Sequence, residues 1–284
     1  MATITNQAAL SYNGITTLSN ITVGELVEVL SATKSTAEST YSAAERKTYV
    51  VSLVNTGPTA LTGLTVSDDL GGYAFNTATV YPMTYVDGSL LYYVGGVLQP
   101  TPTVTAGPPL TVSGISVPAG GNAALVYEVA LNEYAPPTVG GTVTNTATIS
   151  GSSLVNDVTA SATVSAVAAP DLSITKAMSP VTVTENGTVT YTLTLIKRGN
   201  TAAATTDELV LTDTFDPILS DITVSFEGLV WTEGTQYTYD SATGLFTTTA
   251  GALTVPAATF TQDASTGAYT VTPGTATLTI TGTL

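Results

Sequence analysis

The sequence predicts an all-β chain built of two β-sandwich domains, the second of them incomplete. Three observations predict it. Apolar and polar residues alternate over segment after segment, the period-2 pattern of strands with one buried face. Thr accounts for about one residue in five, and a β-branched hydroxyl residue suits the solvent face of a strand. The chain also aligns with itself, and the repeat is out of step with the chain's ends.

In chain order, Ile4-Thr-Asn6-Gln-Ala8-Ala-Leu10-Ser11 alternates, Asn13-Gly14 supplies a turn, and a further run covers 15–23. Residues 35–47 have helix-forming composition, but their Ser and Thr interruptions predict a loop or a single turn. Alternating runs follow at 48–54, 61–70, 125–131, 143–149 and 155–164. Ala166-Val-Ala-Ala-Pro170-Asp171 is small, apolar and Pro-restricted, as in a short semi-rigid linker. Beyond it, the runs 181–184 and 189–195 flank Asn186-Gly187 and read as a hairpin. The last runs are 209–215, 222–226 and 275–284. Many short strands with regular turn signals favour stacked sheets over a single layer.

Composition removes most functional classes. The 284 residues hold no His and no Cys, so imidazole bases, thiolate nucleophiles, iron–sulfur clusters, disulfides and the usual zinc sites are all excluded. Six Lys plus Arg against 21 Asp plus Glu argue against nucleic acid, whose affinity comes from clustered cations. No apolar run is long enough to span a membrane, and the first residues lack the basic and apolar regions of a secretory signal. The expectation is a protein that is not an enzyme, needs no cofactor and works outside the cell, on a cell or spore surface. Asp68-Asp69, Asp213 with Asp216, and Asp221 offer oxygen donors, but no spacing matches a calcium loop and no metal is expected. Tyr81, Tyr85, Tyr92, Tyr93 and Trp231 read as strand aromatics before they read as a glycan-binding surface.

The repeat is the most informative feature. Leu30-Ser-Ala-Thr-Lys34 matches Leu172-Ser-Ile-Thr-Lys176, Thr48 to Gly57 matches Thr190 to Gly199, and Leu64-Thr-Val-Ser-Asp68 matches Leu209-Val-Leu-Thr-Asp213. The predicted organisation is a donor segment and joint over 1–28, a complete sandwich over 29–168 and an incomplete acceptor sandwich over 169–284. The second copy lacks counterparts of the runs 143–149 and 155–164. Those counterparts stand at the other end of the chain, where Ile4 to Ser11 matches Val143 to Ser150. An incomplete sandwich exposes unpaired backbone and open core, which strand addition covers. The chain from Val23 to Val29 leads at once into the first domain, so insertion into a neighbouring copy is favoured over folding back. Head-to-tail contact of identical subunits then builds an open filament. The alternative is a monomeric surface adhesin or glycan-binding module, whose partner would be a glycan or an anchoring protein.

Parity marks a second feature. Residues two apart in a strand share a face, so Lys34, Lys176, Asp213 and Asn145 all fall on the inward side of their strands. Asn6 shares its face with the donor residues Ile4, Ala8 and Leu10. Two of the chain's four Lys occupy the same repeated position, and an unpaired core Lys is very costly. Each must find a partner or lose its charge.

These residues carry two resemblances. Asp171-Leu-Ser-Ile-Thr-Lys176, Val189-Thr-Tyr-Thr-Leu193, Leu211-Thr-Asp213-Thr-Phe215 and Thr144-Asn145-Thr-Ala147-Thr resemble the conserved-repeat domain, domain of unknown function eleven, of bacterial and archaeal surface proteins. That resemblance implies Ig-like sandwiches and a cell-surface setting, with no activity attached. The Lys, acid and Asn set is similar to Gram-positive pilin and adhesin domains that form a spontaneous isopeptide bond. It implies an internal cross-link from Lys34 to Asn145 assisted by Asp68, and an intermolecular one from Lys176 to Asn6 assisted by Asp213. A hydrogen-bonded cluster that fixes strand register without reacting is the other reading of the same residues.

Overall fold

The computed structural model describes residues 2–284, which group into two compact units. The first comprises residues 2–39, Glu45–Asn132 and Val143–Val164, the second Thr40–Ala44, Glu133–Thr142 and Ser165–Leu284. The described residues form strands, turns and one short 3-10 segment, Thr205–Asp207. No helix among them is long and apolar enough to cross a membrane.

The chain opens with a two-stranded ribbon of β1 (Ala2–Asn6), β2 (Ala9–Tyr12), β3 (Ile15–Leu18) and β4 (Thr22–Leu26). β1 pairs with β4 from Ala2↔Leu26 to Asn6↔Thr22, and β2 pairs with β3 from Ala9↔Leu18 to Tyr12↔Ile15. Asn13 (φ 48°) and Gly14 (φ 79°) close the turn in the left-handed conformations a two-residue hairpin loop requires.

The strands that follow are β5 (Leu30–Thr36), β6 (Thr40–Tyr41), β7 (Arg46–Asn55), β8 (Leu61–Asp68), β9 (Tyr73–Phe75), β10 (Ala78–Val80) and β11 (Met83–Tyr85). Then come β12 (Leu91–Val94), β13 (Val97–Gln99), β14 (Thr103–Thr105), β15 (Leu110–Val117), β16 (Asn122–Leu131), β17 (Thr142–Ser150) and β18 (Val158–Ala166). One sheet runs β13-β12-β16-β7-β5, with β11 also on β16, and the other runs β14-β15-β8-β17-β18. Their inner faces bury Tyr49, Val51, Leu53, Leu125, Tyr127 and Val129 from the first sheet against Leu64, Val66, Ile115, Val143, Ala147 and Ile149 from the second. Alternation alone assigns those faces. The loop expected over 35–47 is shorter than predicted, because β5 runs to Thr36 and β7 begins at Arg46.

The second unit holds β19 (Leu172–Ser179), β20 (Thr188–Lys197), β21 (Thr212–Thr214), β22 (Ser220–Phe226) and β23 (Leu229–Val230). β24 (Tyr237–Asp240), β25 (Leu245–Thr248), β26 (Thr259–Gln262), β27 (Tyr269–Thr272) and β28 (Gly274–Thr283) complete it. Its main sheet runs β19-β20-β28-β22-β23, and a smaller one runs β21-β25-β24. Both contribute to one core, with Val189, Leu193, Leu195, Leu278 and Ile280 meeting Leu211, Phe215, Tyr237 and Phe246. The predicted hairpin over 181–195 does not form. The Asn186 turn is present, with the Gly187 N–H on the Thr184 carbonyl, but residues 181–184 are no strand and Val181 is exposed. β20 pairs instead with β19, which reaches Ser179 before Pro180 removes the next backbone donor. The run expected over 209–215 is likewise cut to three residues.

Candidate cross-linking and strand-exchange sites

In the first unit, strand parity brings Lys34 from β5, Asp68 from the end of β8, Tyr49 from β7, Tyr127 from β16 and Asn145 from β17 into the same core. Lys34 Nζ donates to Asp68 Oδ2 at 2.5 Å, with the two side chains 0% and 2% exposed. The Tyr127 hydroxyl donates to the same oxygen. The Leu70 N–H donates to Oδ1 at 2.9 Å. Lys34 Nζ also lies 5.0 Å from the centroid of the Tyr49 ring.

Burial lowers the Lys34 pKa and outweighs the opposing charge of Asp68, so the neutral amine is favoured relative to an ordinary lysine. Burial likewise raises Tyr49 and Tyr127, with Asp68 adding to both. Asn145 is fully buried, and neither its Oδ1 nor its Nδ2 has a hydrogen-bond partner; the Tyr49 hydroxyl also has none. The carboxamide opposes the rise of the Tyr49 pKa, yet the two groups are not in hydrogen-bonding geometry. Leaving such a group unpaired costs about 1–3 kcal/mol, so this carboxamide is the least satisfied polar group of the cluster. An amine with a depressed pKa, a carboxyl group able to carry its proton and an unpartnered carboxamide are the three reagents of amide exchange.

The second unit reproduces half of this arrangement. Lys176 Nζ from β19 donates to Asp213 Oδ2 on β21 at 2.5 Å and lies 4.5 Å from the Tyr191 ring centroid. Here the cluster is open, with side-chain exposures of 38% and 16%. β21 ends its sheet, and among the described residues no strand takes the place that β17 takes beside β8. The open side shows in neighbouring residues too. Ile174 and Met178 are exposed, and Tyr191 and Leu209 are only half-buried, where their counterparts Tyr49 and Leu64 are fully buried.

The ribbon is the reverse case. Ile4, Asn6, Ala8 and Leu10 are all exposed, as are Tyr12, Ile15, Leu18, Ile21 and Val23. The matching residues of β17 are buried: Val143, Asn145, Ala147 and Ile149. β17 sits on β8 with Ala147↔Asp68 and Ile149↔Val66. Carried through the two repeats, that register pairs Ala8 with Asp213 and Leu10 with Leu211, and it sets Asn6 where Asn145 stands. β17 carries β18 on its other side, as β1 and β2 of the ribbon carry β4 and β3.

No family model matches the chain, and no curated protein matches it. Among the solved structures that resemble it over most of its length are three pilins. For the pilus backbone protein RrgB of Streptococcus pneumoniae the identity is 10% and the TM-score 0.34, over 86% of this chain and 55% of that one. For the full-length major pilin SpaD of Corynebacterium diphtheriae the identity is 12% and the TM-score 0.36, over 86% of this chain and 59% of that one. For a C-terminal fragment of a major pilin of Streptococcus agalactiae the values are 11% and 0.36, over 87% of this chain and 91% of the fragment. The chain thus spans little more than half the length of the first two.

The remaining sequence-predicted residues have structural surroundings of their own. Asp69 Oδ1 accepts the N–H groups of Gly71 and Thr146, which ties β8 to β17. Tyr85 and Tyr92 are buried, and Trp231 packs on Phe226 with ring centroids 5.3 Å apart. Tyr49 and Tyr127 were missed as members of the Lys34 cluster. Parity puts both on inward positions, but only the β7–β16 ladder sets them opposite each other and beside Asp68.

Proposed function

We propose that the chain is the structural subunit of an extracellular, pilus-like filament and polymerises head to tail with identical copies. The ribbon of one subunit, residues 2–26, adds to the open edge at β21 of the next and completes its second sandwich. One observation carries this reading: the buried Lys–acid pair of the first unit recurs half-exposed in the second, beside an empty strand position whose sequence pattern stands exposed in the ribbon. Completing a core calls for an interface larger and more apolar than a transient contact.

The same reading gives the two clusters a chemical role. Neutral Lys34 Nζ attacks Cγ of Asn145, the Nζ–Cγ bond forms and the Cγ–Nδ2 bond breaks. One amine proton travels by way of the Asp68 carboxyl to the departing nitrogen, which leaves as ammonia. At the joint, Lys176, Asp213 and the Asn6 of the incoming ribbon repeat the step and make the filament covalent.

The test is the purified chain boiled in SDS, separated on a gel and analysed for a Lys176–Asn6 linked peptide. A ladder with one ammonia lost per joint supports strand exchange with covalent closure, and Asn6→Ala is expected to abolish the ladder. A single monomer band from boiled samples removes the intermolecular bond. Absence of filaments in unboiled samples removes strand exchange itself.

A further inference from the structure

We propose that Tyr127 is a positioning residue for amide formation between Lys34 and Asn145, and that the lack of its hydroxyl in the second cluster makes the joint between subunits the slower cross-link. The proposal rests on the cross-link reading and adds to it a residue and an order of events. Three donors converge on Asp68: Lys34 Nζ and the Tyr127 hydroxyl on Oδ2, the Leu70 N–H on Oδ1. Tyr127 is buried, stands opposite Tyr49 in the β16–β7 ladder and stacks on its ring at a centroid distance of 6.2 Å. Its hydroxyl therefore has a set direction. It also keeps its proton, because burial and then Asp68 push its pKa well above the ordinary tyrosine value. A neutral donor of this kind holds Oδ2 against Lys34 Nζ, the contact through which the amine hands over a proton. Misplacing such a group by about 1 Å costs roughly a hundredfold in rate.

The second unit differs at this point. Ile280 stands opposite Tyr191 as Tyr127 stands opposite Tyr49. Phe215, two residues after Asp213 as Leu70 is two after Asp68, brings a ring to 5.1 Å from Tyr191 and 5.1 Å from Lys176. The ring replaces the bulk of Tyr127 and supplies no donor. Among the described residues Lys176 is the one donor to the Asp213 carboxylate. The internal cross-link then closes early, within a subunit, and the joint closes later, once Asn6 has arrived. In the step itself the Nζ–Cγ bond forms, the Cγ–Nδ2 bond breaks, and Tyr127 neither gains nor loses a proton overall.

The full chain is made in a cell-free reaction and sampled over time by intact-mass and peptide mass spectrometry at several pH values. Tyr127→Phe keeps the ring stack and removes the donor. It is expected to slow ammonia loss at Lys34–Asn145 by roughly tenfold to a hundredfold, the worth of one hydrogen bond to a charged group. It is also expected to change the pH dependence of that rate, because the donor it removes acts on the group through which the amine proton travels. The pair Ile280→Tyr with Phe215→Leu rebuilds the first cluster in the second unit and is expected to speed the Lys176–Asn6 link. Equal rates and equal pH profiles for the parent and Tyr127→Phe, with the parent losing ammonia, overturn the proposal and leave the cross-link standing. A rebuilt second cluster that reacts no faster overturns the order of events. A parent that loses no ammonia at Lys34 overturns the cross-link reading and this proposal with it.

Discussion

Leu10 offers the most direct test of strand donation. In the free ribbon it is 69% exposed, while Ile149, its counterpart on β17, is fully buried opposite Val66. Leu10→Ala therefore removes little from the free subunit and a whole core side chain from the joint. Truncating a buried Leu to Ala costs about 2–5 kcal/mol. At about 1.4 kcal/mol per tenfold, the joint should weaken by roughly thirtyfold to four-thousandfold. The comparison belongs in an Asn6→Ala background, where no covalent bond locks the polymer, with dissociation followed by sedimentation in rising urea and extrapolated to water. Thr5→Ala is the control, because its counterpart Thr144 is exposed in the sandwich; its effect should stay within about 0.5 kcal/mol. If Leu10→Ala and Thr5→Ala polymers fall apart at the same urea concentration as their parent, the ribbon does not insert in the β17 register.

Lys47 provides a test in alkali. Its amine donates to Glu38 and Glu45, both at 2.7 Å. Burial pulls its pKa down, but the two carboxylates win and raise it above 10.5. The folded state thus holds this proton more tightly than the unfolded state does, so the stabilisation is whole below pH 10.5 and is lost as pH rises through the folded value. Melting points across that window should fall less steeply in Lys47→Met, and equal slopes would refute the assignment. At Gly199, an added Cβ would lie 1.7 Å from the Ala169 carbonyl oxygen and 2.8 Å from the Asp171 N–H nitrogen. Gly199→Ala should therefore cost the second unit about 3 kcal/mol or more, read as a lower urea midpoint, and an unchanged midpoint would show that the chain shifts freely there. Asn145→Ala should end ammonia loss within the first unit without altering a Lys176–Asn6 ladder, as peptide mass spectrometry of the boiled bands would show.

Much of this was legible before any tertiary structure. Alternation is a property of neighbouring residues, so it assigned an all-β class and an inward side for Lys34, Asp213 and Asn145 without reference to partners. Internal repetition compares the chain with itself, so it found that Ile4 to Ser11 duplicates Val143 to Ser150 and that Lys34 and Lys176 hold one position. Composition excluded imidazole and thiolate chemistry by simple absence of the atoms.

Contacts between distant segments were decided elsewhere. The pattern at 181–184 is as regular as that at 189–195, yet only the second is a strand, because a strand needs a neighbour for its backbone groups and β19 takes that place first. β21 is short where β8 is long, since β8 has β15 and β17 on its two sides and β21 has β25 alone. Tyr127 joined Lys34 and Asp68, and Asn145 was left unpaired, because sheet register and stacking bring together residues far apart in sequence. Periodicity tells a side chain which way to face; only the packed chain tells it what it meets there, and cross-linking chemistry depends on that meeting.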